Sequence, residues 1–61
     1  MMISDLYNIW YDGNRNDINF INTCWNMLSC ASCYTDEDDR MYKYLYEGIL
    51  YAMEDWLHDH K

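Results

Sequence analysis

The sequence predicts an all-α fold: a three-helix domain with a short N-terminal helix, an antiparallel hairpin of helices 2 and 3, and a long C-terminal helix. Three observations point there. Apolar residues recur at three- and four-residue spacing in three separate segments, which places them on one side of a helix. The chain has no proline and only two glycines, Gly13 and Gly48, so little interrupts those segments. The run Thr35-Asp36-Glu37-Asp38 carries the pattern of a helix start. The expected spans are 3–12, 17–33 and 36–58, within a single domain covering residues 1–61.

In the first segment, ISDLYNIWYD, the residues Ile3, Leu6, Tyr7 and Trp10 fall on one face, and Gly13 is the expected stop. The stretch Gly13-Asn14-Arg15-Asn16-Asp17 reads as a turn, with Asn16 or Asp17 capping the next helix.

In that second helix Ile18, Ile21, Trp25, Leu28 and Ser32 form one line. Phe20, Cys24, Met27 and Ala31 widen the apolar arc to about half of the circumference. The opposite face holds Asn19, Asn22, Thr23, Asn26, Ser29 and Cys30, polar but uncharged. Residues 18–34 contain no charged side chain in a chain whose formal net charge is −7. Small amides and hydroxyls can be covered without the desolvation cost of a buried ion. The expectation is that this amide face lies under the first helix or a subunit contact.

Thr35 is a suitable N-cap, Asp38 occupies the capping-box position, and the acids of the first turn suit the positive helix end. With only Tyr34 and Thr35 as connector, helices 2 and 3 are expected to form a tight hairpin. On the third helix Met41, Leu45, Ile49, Ala52 and Trp56 make one seam, and Tyr42, Tyr46, Leu50, Met53 and Leu57 an adjoining one. Together they span about 200°, where a stripe of about 100° suffices for a helix on a core. The surplus must meet the first helix, another copy of the chain or a different protein. The alternative expectation is therefore an assembly module, a helical homodimer or a subunit of a larger complex, held through Tyr46, Leu50, Met53 and Leu57. Gly48 and Ala52, one turn apart, would let a neighbouring backbone approach closely.

A chain of 61 residues buries roughly 60% of its unfolded surface, so its core needs reinforcement. Three Trp, seven Tyr and one Phe supply it. Eleven acidic residues against four Lys and Arg exclude direct nucleic-acid binding, which requires basic groups at the phosphates. The same balance disfavours an anionic membrane surface. The 17 uncharged residues would make a poor membrane span because Asn19, Asn22 and Asn26 interrupt them. The expected partner is a protein with a basic surface. No basic segment followed by an apolar run opens the chain, and three cysteines are an odd number. Both features predict a cytoplasmic protein.

No arrangement of residues predicts an enzyme, a cofactor or a metal. Cys30 and Cys33 form a Cys-x-x-Cys, but they lie where the third helix begins. His58 and His60 lie where it ends, about 30 Å away, so one chain cannot close a zinc site with all four. A helix C-terminus also opposes the thiolate that redox chemistry needs. Glycine-rich phosphate loops are absent, and Ser4, Ser29 and Ser32 have no histidine near them in the expected fold.

The feature that reads as a site is the acidic face of the third helix. Asp36, Glu47 and Glu54 share its outward line, Tyr44 and Tyr51 stand beside them, and Asp55 and Asp59 continue towards the C-terminus. Tyrosines among carboxylates suit a surface bearing Arg and Lys, where the rings add cation–π attraction to charge. Repeats of seven residues space these acids by about 10.5 Å, a sparse imitation of a phosphate track. In size, charge and composition the chain is similar to the small acidic helical proteins with which phages disable host enzymes. Those include DNA mimics and inhibitors of CRISPR effectors or nucleases. The likeness covers no specific motif. It implies a viral inhibitor that acts in the host cytoplasm by occupying a nucleic-acid-binding surface.

Overall fold

The three apolar-periodic segments become three helices: α1 (Ile3–Asp12), α2 (Ile18–Ser29) and α3 (Asp36–Asp59). They are seen in a computed structural model that describes residues 1–60. All three pack against one another, as the all-α reading predicts, and no strand forms among the described residues.

The start of α1 has no side-chain cap. Its first N–H, at Ile3, instead donates to the Ser32 carbonyl at 3.2 Å, while the Ser32 N–H donates to the Met1 carbonyl at 2.7 Å. This short parallel bridge ties the beginning of the chain to the connector between α2 and α3. The helix stops at Gly13, whose N–H donates to the Ile9 carbonyl at 3.0 Å. Gly13 has φ −88°, so left-handed backbone is not what it supplies. A Cβ there would overlap the ring of Phe20, which stacks on Trp10 at 5.8 Å between centroids. Glycine at this position makes room for that ring.

Asp17 caps α2 by accepting the Asn19 N–H at 2.9 Å. The C-terminal end differs from expectation: α2 closes at Ser29, not at residue 33, and six residues rather than two lead to α3. The Cys30 and Ala31 N–H groups tighten onto Met27 and Leu28 at 3.1 and 3.2 Å, a three-residue pattern that ends the α-helical ladder. Beyond it, the backbone of Ser32 bonds to Met1 and Ile3, and those partners hold it out of a helix. Ser32 therefore lies in the connector, not on the buried line of α2.

At α3 the expected capping box is present. The Asp38 N–H donates to Thr35 Oγ1 at 3.1 Å, and Asp38 Oδ2 accepts the N–H groups of Thr35 (3.1 Å) and Tyr34 (2.9 Å). Asp38 is buried, and these bonds are what make a buried carboxylate tolerable.

The core draws on every helix: Ile3, Leu6 and Trp10 from α1, Ile21, Cys24 and Leu28 from α2, and Leu45 and Ile49 from α3. Beyond Ile49 no described residue of α3 is buried, although the helix runs on for ten more residues to Asp59. The molecule is accordingly elongated, 39 × 17 × 15 Å.

The amide face of α2 is not covered by α1. Asn19, Asn22, Thr23, Asn26, Ser29 and Cys30 are all exposed in the protomer. The reason is that α1 docks on the apolar side, where Trp10 meets Phe20. Two of the hydroxyls bond within their own helix, Thr23 to the Asn19 carbonyl at 2.8 Å and Ser29 to the Asn26 carbonyl at 2.6 Å.

Candidate protein-binding face

The position of each side chain on α3 follows from its register relative to the buried Leu45 and Ile49. Asp36, Glu47 and Glu54 lie opposite the core at about 100° per residue, and all three are exposed. Arg40 and Lys43, also exposed, fall on this same outward side between Asp36 and Glu47. They place positive charge inside the N-terminal part of the acidic line. The uninterrupted acidic part is the C-terminal half.

Beside the outward line stand two exposed tyrosines, one in each half of α3. Tyr44 and Tyr51 are 69% and 66% exposed and turn towards the α1 side, with Asp55 and Asp59 further round on the same flank. Here α1 and the turn after it meet α3, leaving an open groove of about 370 Å³. Tyr51, Asp55 and Asp59 line it together with Trp10, Arg15 and Trp56. The ring of His60 stacks on Trp56 at 4.0 Å and 10° between planes, and extends that aromatic wall. Arg15 carries its guanidinium over the Tyr11 ring, 5.5 Å from the centroid. At Gly48, expected to admit a neighbouring backbone, the neighbour is a side chain at ordinary contact distance. That neighbour is the Trp10 indole nitrogen, which would stand 3.5 Å from a Cβ at Gly48.

Three of the seven residues expected on the binding face, Tyr51, Asp55 and Asp59, thus share one groove. Glu47 and Glu54 flank them on the outward line, Tyr44 borders a smaller adjoining hollow with Tyr7 and Tyr11, and Asp36 stands apart at the helix start. Trp10, Arg15 and Trp56 were not anticipated as part of a site. Spacing assigns both tryptophans to apolar seams and Arg15 to a turn; the docking of α1 on α3 brings them together, and local pattern carries no trace of that.

The surplus apolar residues emerge on the opposite flank of α3. Tyr46, Leu50 and Leu57 are 44%, 38% and 61% exposed, and Met53 is half-buried between them and the core. The Tyr46 ring leans on Trp25 of α2 at 5.3 Å.

Three groups, Cys24, Cys33 and Tyr7, have their ionisation raised. Burial pushes the Cys24 thiol up from its ordinary value. Cys33 is raised by desolvation first and then by the negative charges of Asp39 and Asp38. The hydrogen bond with Tyr11 raises Tyr7, with burial adding to it. All three cysteines are free, with Cys30 the exposed one. Among the described residues no three His, Cys, Asp or Glu side chains converge where a metal ion would sit. No described helix is long and apolar enough to cross a membrane.

No family model matches the chain, and neither a curated protein nor a solved structure matches it.

Proposed function

We propose that the protein is a non-enzymatic binding module that docks on a basic surface of a protein partner through the acidic, tyrosine-bearing flank of α3. One observation carries this reading: Tyr51, Asp55 and Asp59 converge with Trp10 and Trp56 on a groove in a chain of net charge −7. Carboxylates supply attraction and orientation, and the rings supply cation–π contact and buried area. Basic protein surfaces commonly serve nucleic acid. A module that occupies one acts as an inhibitor, in the manner of the phage-type DNA mimics and CRISPR inhibitors that the composition resembles. Arg40 and Lys43 interrupt the acidic line towards its N-terminal end, which favours a contact on the C-terminal half of α3 over mimicry along its full length.

The test is capture from a lysate at low and high salt, with captured proteins identified by mass. Binding of a basic protein that collapses with salt, and that Glu47→Lys with Glu54→Lys abolishes, is the expected result. Capture indifferent to both salt and charge reversal would refute the proposal.

A second reading rests on the exposed apolar flank. Self-association through Tyr46, Leu50, Met53 and Leu57 would bury a strip that carries no charge, which two copies of so acidic a chain require of a shared contact. It predicts thermal stability that rises with protein concentration and a mass of two protomers by light scattering. Tyr46→Ser with Leu50→Ser would then return a monomer.

A further inference from the structure

We propose that the groove between α1 and the C-terminal half of α3 receives one arginine side chain of the partner, a deepening that rests on the binding-module reading above. Tyr51, Asp55 and Asp59 are each four residues apart and so form one row along α3, a ring followed by two carboxylates about 6 Å apart along the axis. Trp56, bearing His60 on one face, makes the adjoining wall. Trp10 is only 5% exposed and contributes an edge at the floor.

The chemistry of that lining selects among cations. The lining combines aromatic rings with two carboxylates, Asp55 and Asp59, so it offers flat faces and hydrogen-bond acceptors together. A planar guanidinium can lie against a ring at either end of the carboxylate pair, Tyr51 or Trp56, while its N–H groups meet Asp55 and Asp59. A lysine ammonium is a strongly hydrated point charge that gains less from both. The molecule already uses this pairing once, with Arg15 over Tyr11. Asp55 and Asp59 outnumber Arg15 among the groove's permanent charges, so an incoming cation is drawn in. A volume of about 370 Å³ is at the small end for ligand pockets and suits one side chain rather than a folded segment.

The experiment is a titration of the isotope-labelled full chain with N-acetyl-arginine amide, and separately with N-acetyl-lysine amide, followed by NMR at low salt. The indole N–H signals of Trp10 and Trp56 are expected to shift saturably with the arginine amide. Trp25, which leans on Tyr46 on the other flank, serves as the unmoved reference. Asp55→Asn with Asp59→Asn, both at exposed positions, is expected to weaken binding by about fivefold or more. Three indole signals moving alike, arginine and lysine amides binding equally, or a double variant that binds as the parent does would each overturn the proposal. Its failure is distinguishable from failure of the broader reading. Salt-sensitive capture of a basic protein that survives the Asp55 and Asp59 changes would leave docking to Glu47 and Glu54. Arginine binding without any captured basic protein would remove the broader reading alone.

Discussion

The two halves of α3 have nearly the same kinds of residues and opposite circumstances. From Asp38 to Ile49 the helix is pinned: Asp38 closes the capping box, Leu45 and Ile49 sit in the core, and α1 and α2 cover its inner side. From Leu50 to Asp59 it holds as many apolar and aromatic side chains, yet none is buried. The difference is one of partners rather than of composition. α1 and α2, with 10 and 12 residues, are too short to accompany a helix of 24. The first half is therefore where substitution should cost stability, and the second is where it should cost little.

The sharpest contrast uses one residue type. Leu45→Ala is expected to lower unfolding free energy by about 2–5 kcal/mol in denaturant titration, through lost burial and a cavity. Leu57→Ala should change it by about 0.5 kcal/mol or less, because Leu57 is 61% exposed. A large loss at Leu57 in dilute solution would mean that the overhanging half is covered, and would favour the self-associated form. Next come the acids. Asp38→Ala leaves the N–H groups of Tyr34 and Thr35 without their acceptor and should cost about 1–3 kcal/mol. Asp55→Asn should leave the melting curve unchanged while weakening any basic partner. Gly13→Ala, at the far end of α1, forces Phe20 off Trp10 and is expected to cost about 1–3 kcal/mol by the same measurement.

The smallest effects concern protonation. Cys24 and Tyr7 have ionisations raised in the folded chain, so the fold favours their neutral forms. That contribution is whole below their ordinary values and is lost as pH rises through the folded ones. The share of stability that these two groups control should accordingly fall on the alkaline side. Thiol alkylation followed by mass should proceed in the order Cys30, Cys33, Cys24, with Cys24 reacting only as the protein opens.

Much of this architecture is legible in sequence because its causes are local. The span of α1 follows from the spacing of Ile3, Leu6 and Trp10, and the start of α3 from Thr35 and Asp38, whose bonds join residues three apart. The end of α2 is not legible, because what stops it is the backbone of Met1 and Ile3, remote in the chain. Periodicity continues apolar through Ala31 and gives no warning. The binding face divides the same way. Its α3 members can be read from register, whereas Trp10, Arg15 and Trp56 join them only through the packing of one helix on another. The uncharged side of α2 shows a third case: absence of charge predicts cover by α1 or by a subunit contact, and the docking geometry of α1 leaves that side open in the protomer.

The bond between Ile3 and Ser32 also orders events in time. While the polypeptide is still being synthesised, its first helix can find neither its backbone acceptor nor the side chains of Leu45 and Ile49. α1 can therefore dock only once residues as far along as Ile49 are available to it. Docking of α1 is then a late event rather than the first step of a progressive assembly.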